Sequence, residues 1–535
     1  TRTTGTGAGS TGRATGATPI TLHTASGAGL WSSPLIWGPL LLLAGTIAAF
    51  RLLPGGAPAA ARDGLMGGQL RYVRADAASL WRTWWESWSG PGLGSADAGS
   101  PGTAVLALLT WVYQALPGDA GPSPVARVVG ILVLLTPAFA FVAAYLAARV
   151  LTPARLPRAL AAGAWALCPP ALDAIREGRL GALALLVGLP LLGAGFVALT
   201  RRETRPGMAA LTALLTAALA TVVPGVLILG LGVALGLLLF GSAYARRRAA
   251  GYLPLTALAA APVLLMLAER PAALLGGWGL LAAPVAQVTQ APVWQSALGF
   301  PDGTLLGDGV PGLNELGVRP VVVRLVLVVP IVAAGLLGLA RPRRGTLPVS
   351  LAVLGLAGVA WTLGAGRVEL ASAGGVNPWR GTGALVMILA LLAAALLAAG
   401  RQSGIAWRAA VSTLVAISAV AGVVVLAVAG IGTDLRPGAD PRPAVAIDQA
   451  TGPLATRTLL ITADEPPWAD PAGGTAYSYD LIGREPDLPA RDLGPARSRE
   501  LDTTIAGLLD AADPGAAGGA GLARWAVGFL VVDPS

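Results

Sequence analysis

Long apolar runs separated by short polar connections occupy most of the chain from residue 35 to residue 431. A membrane-spanning helix needs roughly 20 mainly apolar residues. By that criterion the sequence predicts about eleven spans, and one long run is divided at Pro224 and Gly225, which interrupt a helix. The predicted spans are 35–53, 126–148, 158–173, 180–199, 207–223, 225–241, 250–268, 320–340, 347–365, 383–400 and 408–431.

Three other segments have different patterns. Residues 1–30 are rich in Gly, Thr and Ala, which predicts a flexible linker that connects to a preceding domain. The run 103–116 is too short to cross a bilayer and is typical of an interfacial or re-entrant helix. Residues 432–535 change to an acidic, Pro- and Gly-rich composition with short strand-like runs.

This C-terminal region is predicted to be a small extracytoplasmic α/β domain. Its strands are expected at 457–462, 475–482 and 527–532, with a helix at 498–512. The chain ends directly after the last strand, so we expect the domain to be truncated. The predicted fold class is therefore an all-α polytopic membrane bundle (31–431) followed by this α/β domain.

Composition supports a membrane protein. Hydrophobic residues make up 54% of the chain, charged residues 12%, and the mean hydropathy is +0.68. Soluble domains carry roughly 25% charged residues. The net charge of +9 does not indicate nucleic-acid binding, because the basic residues, all arginines, stand in short clusters between apolar runs.

The arginine clusters predict the orientation. One set of connections is rich in arginine and holds a single acid, Glu203, whereas the other set, which includes the loops 54–102 and 268–319, is balanced between Arg and acids. By the positive-inside rule the first set is cytoplasmic. We expect a plasma-membrane protein with a cytoplasmic N-terminus and an extracytoplasmic C-terminus. The arginine-rich connections are 149–158, 201–205, 246–248, 341–344 and 401–408.

Rare residue types exclude several functions. The chain has one cysteine, Cys168, and one histidine, His23, which excludes an intrachain disulfide, a His-based zinc site and a Ser-His-Asp triad. It has no lysine, so a GxxxxGK[ST] phosphate-binding loop is excluded. The residues therefore predict neither a metal site nor a cofactor in this chain.

The first predicted outer loop, 54–102, carries the strongest candidate chemistry. Trp81, Trp84, Trp85 and Trp88 recur at helical spacing, as in an amphipathic helix at the headgroup layer. This helix is either a membrane-surface anchor or a platform that holds a lipid-linked or sugar substrate by stacking.

Carboxylates in the same loop are candidate general bases. They are Asp63, Asp76 and Glu86, and each is also compatible with an ordinary loop charge.

Charges next to the spans have two interpretations as well. In the turn 173–179, Arg176 and Arg179 either pair with neighbouring acids at helical spacing or bind a phosphate headgroup. Arg324 falls four residues into a predicted span, where it either snorkels to the interface or marks a polar cavity.

The segment LWRTWWESWSGPGLGS (80–95) resembles the Trp-rich stretch of large actinobacterial membrane proteins, the multi-pass family 2 glycosyltransferases. Residues 145–192 and 522–535 are similar to further parts of those proteins. The resemblance implies a cytoplasmic nucleotide-sugar transferase domain, with a divalent metal, that lies outside this chain.

A looser similarity is to polytopic glycosyltransferases that use polyprenyl-phosphate-linked sugars. It implies a carboxylate base in the first outer loop, a position that Asp63 or Asp76 would hold. We therefore expect the membrane portion of a cell-envelope glycosyltransferase, of hexosyl- or pentosyltransferase type. Its partners would be a lipid-linked sugar donor or glycan acceptor, and membrane lipids. The alternative is a non-enzymatic transporter, flippase or scaffold for envelope polysaccharide assembly.

Overall fold

The computed structural model describes most of the predicted bundle and part of the C-terminal region. The predicted linker 1–30, Trp88 and most of the loop 268–319 lie outside the described residues. The described residues are 33–67, 70, 74–86, 101–118, 121, 123–202, 205, 207–269, 292–300, 319–340, 347–365, 367, 379–400, 404–429, 435–440, 442–453, 455–463, 477–483, 503–505, 507–508 and 518–533.

Helices make up nearly all of the described bundle. In chain order they are α1 (Pro34–Ala49), α2 (Gly56–Asp63), α3 (Ala77–Trp85), α4 (Pro101–Gln114), α5 (Pro124–Ala147), α6 (Arg155–Ala166), α7 (Pro169–Arg176), α8 (Leu180–Thr200), α9 (Met208–Ala220), α10 (Val226–Phe240), α11 (Ala243–Ala259), α12 (Ala261–Glu269), α13 (Val293–Ala297), α14 (Pro320–Ala340), α15 (Leu347–Ala365), α16 (Gly381–Ala398), α17 (Ile405–Ala429), α18 (Ala444–Thr451) and α19 (Gly518–Ala523).

Fewer helices reach spanning length than the sequence predicts. Among the described residues, six helices are long and apolar enough to cross a membrane, and seven if α11 and α12, bent by 67°, form one span. The six are α5, α8, α14, α15, α16 and α17. The helices α1, α9 and α10 are apolar but shorter. The expected count of about eleven spans is therefore not confirmed. The predicted division of 207–241 into two helices, α9 and α10, is confirmed.

The predicted span 158–173 is not one continuous helix. The chain forms two short helices there, α6 and α7, which are separated at Leu167 and Cys168. Pro169 and Pro170 have no N–H to donate to the preceding turn, and their rings clash with its carbonyls, so α6 cannot continue through them. Both prolines instead occupy the first turn of α7, where the N–H groups have no intrahelical partner in any case.

The bundle is held by close helix contacts and by buried polar groups bonded across helices. The Trp165 indole donates to the carbonyl of Leu186 at 2.8 Å, and the hydroxyls of Thr216 and Tyr252 lie 2.9 Å apart. Small residues let backbones approach: Gly335 of α14 contacts Leu391 of α16, and Gly338 contacts Ala394. Both contacts advance by three residues, so α14 and α16 run parallel.

A short two-stranded ribbon joins the first predicted outer loop to the chain after the last long helix. Strand β1 (Leu65–Gly67) pairs antiparallel with β2 (Leu435–Pro437), and the Gly438 N–H donates to the carbonyl of Gly64 at 3.0 Å. At the same end of the bundle, Arg51 donates to the carbonyls of Ala427 and Val428 near the end of α17. We call this end of the bundle the ribbon end.

Arginine-rich connections gather at a second place, which we call the arginine end. Arg201 donates to the carbonyl of Val150, Arg248 donates to the carbonyls of Leu199 and Arg201, and Arg202 lies over the Tyr244 ring at 5.4 Å. The connections 149–158, 201–205 and 246–248 therefore lie together, as the topology derived from the sequence requires.

The predicted C-terminal strands are present. They are β3 (Arg457–Ala463), β4 (Tyr477–Ile482) and β5 (Val527–Asp533), in the sheet order β4-β3-β5. Strand β3 pairs antiparallel with β4 and parallel with β5, and Leu459 and Ile461 of β3 belong to a small apolar cluster of this region. The predicted helix 498–512 lies largely outside the described residues.

Candidate functional site

The turn between α7 and α8 has a defined backbone conformation. The N–H of Glu177, the residue after α7, bonds the carbonyl of Asp173 at 2.9 Å, and Gly178 has a φ of +67°. Glycine reverses the chain here because it reaches the left-handed region without steric cost. The reversal sets Arg179 directly before α8 and places the charges of 173–179 at the ribbon end.

These charges are unusually buried. Asp173 is 5% exposed and Glu177 is 4% exposed, and the Glu177 carboxylate forms an ion pair with Arg179. The sequence predicts pairing at helical spacing, but this pair joins residues two positions apart, because the turn at Gly178 brings their side chains together. A carboxylate is rarely buried unless a cation accompanies it.

Arg179 has a second partner that the sequence pattern does not reveal. Its guanidinium carbon lies 5.3 Å from the centroid of the Trp379 ring, just before α16. An arginine over a tryptophan face is attracted by the ring quadrupole. Glu177 and Trp379 together fix the guanidinium, so that Arg179 presents a positioned positive charge. We call Glu177, Arg179 and Trp379 the charge cluster.

Three further segments pack around this turn and the start of α8. A side chain at Gly178 would collide with Leu70 of the first loop, and Leu435 of β2 lies close by. Behind Arg179, Gly181 contacts Val222 and Val223 in the turn between α9 and α10. The first loop, the chain after α17 and the α9–α10 turn therefore meet around the charge cluster.

Asp63 ends α2, two residues before β1. Both of its carboxylate oxygens accept from Arg62, each at 3.0 Å, and its side chain is 35% exposed. The hydrogen bond from Arg62, helped by the charges of Arg62 and Arg127, lowers the pKa of Asp63 although partial burial opposes this. Asp63 is therefore an ionised, reachable carboxylate at the ribbon end.

Asp76 has a local structural role that the sequence analysis does not assign. It is the N-cap of α3: its carboxylate accepts from the Ser79 N–H at 2.8 Å, and its own N–H donates to the Ser79 hydroxyl at 3.1 Å. The Ser79 hydroxyl and then the Ser79 N–H lower the pKa of the Asp76 carboxyl, although partial burial opposes this. The carbonyl of Ala75 accepts from the N–H of Val125, which ties this cap to the start of α5.

The tryptophans form a connected set on α3 and α4. The ring centroids of Trp81 and Trp84 are 5.0 Å apart, those of Trp84 and Trp85 5.9 Å, and those of Trp81 and Trp111 5.4 Å. Trp85 is 71% exposed. The sequence pattern does not indicate that Trp111, in the short apolar run 103–116, joins this set. Glu86 lies exposed at the end of α3.

The arrangement combines an ionised carboxylate, a positioned guanidinium and an aromatic surface at one end of a helical bundle. Arg176, at the end of α7, is also at this end. Among the described residues, no three His, Cys, Asp or Glu side chains lie close enough to hold a metal ion. The groups that are present suit a substrate that carries both a phosphate and a sugar.

Neither a protein-family model nor a curated protein matches the sequence. Among solved structures, the chain is similar to the cryo-EM structure of arabinofuranosyltransferase AftD from mycobacteria, with 18% sequence identity and a TM-score of 0.53. The likeness covers 93% of this chain and 35% of AftD. A structure of a mutant AftD gives 17% identity, the same TM-score of 0.53, and coverage of 93% of this chain and 36% of that one.

This chain thus spans about a third of the length of the structures it resembles. At this level of identity the likeness shows the fold alone, which is that of part of an actinobacterial polytopic glycosyltransferase. It does not support the family 2 assignment that the resemblance in the sequence implies.

Proposed function

We propose that this chain is the membrane portion of a cell-envelope glycosyltransferase that transfers a sugar from a lipid-linked donor at the ribbon end, on the outer face of the membrane. The observation that carries the proposal is the meeting of the first loop, with Asp63, and the charge cluster at one end of the bundle. The fold of AftD supports it independently, and its name favours a pentofuranosyl donor.

The arginines support the proposed orientation. The arginine end gathers three of the connections that the positive-inside rule assigns to the cytoplasm. The ribbon end, where the first loop pairs with β2, then faces outwards. A donor that reaches this face must be carried by a lipid, because nucleotide sugars are made and retained in the cytoplasm.

The proposed reaction uses the groups at the ribbon end. An acceptor hydroxyl attacks the anomeric carbon of the donor, and its proton passes to a carboxylate, for which Asp63, Asp76 and Glu86 are candidates. The bond from the anomeric carbon to the phosphate oxygen breaks, and the lipid phosphate leaves with the electron pair. Arg179 and Arg176 stabilise the charge on that phosphate.

The tryptophan set of α3 and α4 gives the substrate a place to approach. Trp85 is 71% exposed, and the α4 side chains Leu108 and Val112 are 51% and 66% exposed. In this proposal these side chains lie beside a bundle whose outer surface faces lipid. Tryptophan prefers the headgroup layer and also stacks on sugars. In this proposal α3 and α4 lie at the membrane surface and present Trp81, Trp84 and Trp85 to the donor or acceptor.

The experiment is a transfer assay with the purified chain in liposomes, a polyprenyl-phosphate pentose, a glycan acceptor and no nucleotide sugar. We expect transfer, and a loss of at least roughly 100-fold in Asp63→Asn or Asp76→Asn if that residue is the base. Asn is also a good N-cap, so Asp76→Asn tests the charge without removing the cap. Arg155→Gln, at the arginine end, is the matched control.

Binding of the lipid-linked sugar without transfer would contradict catalysis by this chain. That result would instead favour a membrane partner for a catalytic domain elsewhere. Movement of the lipid-linked sugar across the bilayer without transfer would favour the transporter or flippase alternative.

A further inference from the structure

An arginine is buried where α6 begins. Arg158 is 6% exposed and shares the packed face of α6 with Ala162 and Trp165, each 1% exposed. Side chains of a helix point towards its N-terminus, and the Arg158 Nε donates to the carbonyl of Ala154, the N-cap residue, at 3.2 Å. The guanidinium therefore lies beside the first turn of α6, at the arginine end.

An aromatic ring fixes this guanidinium. Its central carbon lies 4.6 Å from the centroid of the Tyr145 ring of α5. Tyr145 is itself buried, and its ring stacks on that of Phe141. A cation over the face of a desolvated ring is attracted by the ring quadrupole. Arg158 therefore has a defined position and does not move freely at the surface.

The charge of Arg158 has no carboxylate partner among the described residues. An arginine carries five N–H donors, and within the described part of the chain Arg158 uses only the one on Nε. The four N–H groups on its two terminal nitrogens are left for another acceptor. A buried charged donor without an acceptor is costly, so an anion at this place would stabilise the protein.

The helices that pack on α6 cannot supply that anion. They are α1, α5, α16 and α17, and neither Asp nor Glu occurs in 34–49, 124–166 or 381–429. The buried Asp173 and Glu177 lie past the other end of α6, which continues for about 12 Å beyond Arg158 at 1.5 Å per residue.

The backbone at the start of α6 also offers free donors. Ala154 provides no side-chain cap, and Pro157 has no N–H. Among the described residues, the N–H groups of Arg155 and Leu156 have no acceptor. N–H groups and the helix dipole favour an anion at a helix N-terminus. The guanidinium and the first turn therefore favour the same kind of ligand, an anion with several oxygen acceptors.

The position along the membrane normal suits a lipid headgroup. Tyr145 lies five residues before Val150, where the span that contains α5 ends, which is about 8 Å at 1.5 Å per residue. Leu156, in the first turn of α6, is 65% exposed and can contact an acyl chain. Basic pockets between membrane helices are known binding places for anionic headgroups.

We propose that Arg158 and the first turn of α6 form a phosphate-binding site at the arginine end. The phosphate belongs to a lipid headgroup of the adjoining leaflet or is free in solution, since both present the same oxygens. A guanidinium matches phosphate oxygens in geometry and charge. The proposal does not depend on the proposed transferase activity, which is placed at the ribbon end.

The test is native mass spectrometry of the purified chain in detergent, titrated with phosphatidylglycerol, with diacylglycerol of the same acyl chains, and with inorganic phosphate. We expect retained adducts of phosphatidylglycerol and none of diacylglycerol. Arg158→Gln should weaken that binding roughly 10- to 100-fold, the effect of losing hydrogen bonds to a charged group. Arg247→Gln removes the same charge from an exposed position at the same end, and it should leave the binding nearly unchanged.

Thermal unfolding of the same variants separates binding from folding. Phosphatidylglycerol should raise the Tm of the original chain and of Arg247→Gln, but not that of Arg158→Gln. Arg158→Lys keeps the charge without the planar fork, so it should fold and retain part of the binding. Displacement of the lipid by inorganic phosphate would make the site one for free phosphate, and retention of the lipid would make it a headgroup site.

Unchanged adducts in Arg158→Gln, or an equal loss in Arg247→Gln, would overturn the proposal. One acid, Glu203, stands in the arginine-rich connections, outside the described residues. If Glu203→Gln lowered the Tm as much as Arg158→Gln did, and the double variant lowered it no further, the two side chains would form an internal ion pair. That result would also overturn the proposal.

Discussion

The two ends of the bundle use arginine in different ways. At the arginine end, Arg201, Arg246 and Arg248 donate to main-chain carbonyls where helices end. At the ribbon end Arg51 does the same at the end of α17, but Arg179 is held by a buried carboxylate and an aromatic ring. Arginines that cap helix ends fix topology and remain in contact with solvent. In the proposed function, the partly buried Arg179, oriented from two sides, is the arginine that meets the lipid phosphate of the donor.

The largest effect should come from breaking the charge cluster. Glu177→Ala leaves Arg179 partly buried without its carboxylate, and such losses typically cost about 3–5 kcal/mol. We expect a clear fall in Tm in detergent, measured by thermal unfolding. Arg155→Gln, an exposed change at the arginine end, should leave the Tm unchanged. Equal effects of the two substitutions would remove the distinction between the ends.

Substitutions of two glycines should change the stability of the protein in opposite directions. Gly178→Ala forces a side chain into the left-handed region and against Leu70, and we expect a loss of about 1–3 kcal/mol. Gly251→Ala, inside α11 with open space around it, should stabilise the protein by about 0.5–1 kcal/mol. Thermal unfolding of both variants checks the two signs, and a stabilising Gly178→Ala would show that the turn is not tightly packed.

The cap of α3 should contribute less. Asp76→Ala removes the bond to the Ser79 N–H and should cost about 1 kcal/mol, whereas Asp76→Asn should cost little. Hydrogen exchange of the first turn of α3 measures the local effect. If both variants left exchange unchanged, the cap would not hold the tryptophan helix in place.

The smallest effect concerns pH. The pKa values of Asp63 and Asp76 are lowered in the folded state by hydrogen bonds from Arg62 and Ser79. Each carboxylate therefore stabilises the fold above its ordinary pKa of about 4, and this contribution is lost as the pH falls through the lower, folded-state pKa. Unfolding from pH 7 to pH 3 should show a smaller decline in an Asp63→Asn, Asp76→Asn double variant. An identical decline would contradict these pKa shifts.

Periodicity and composition predict the positions of the apolar helices well. Each predicted span coincides with a helix or a helix pair, because a run of apolar residues must leave water whatever its neighbours are. The pattern does not show where proline divides a predicted span into two helices, as at Pro169. It also does not show that α1, α9 and α10 are shorter than a typical span.

The site is less visible in the sequence because its contacts join residues far apart in the chain. Nothing near Arg179 indicates that Trp379 lies over it, and the three-residue strands β1 and β2 are too short to recognise. The cap of α3 was recognisable, since Asp76 and Ser79 stand at the spacing of a capping box. Local chemistry of this kind can be read from sequence, but the assembly of loops at one end of a bundle cannot.

The central claim is that sugar transfer occurs at the ribbon end, and it can be tested by sidedness. A Cys168→Ala, Arg247→Cys variant in proteoliposomes is labelled with a membrane-impermeant maleimide to report which side the arginine end faces. A water-soluble glycan acceptor is then supplied on one side only, with a polyprenyl-phosphate pentose in the bilayer. The account predicts transfer only when the acceptor is on the side of the membrane away from the arginine end, whose side the label reports. Transfer confined to the labelled side would contradict it.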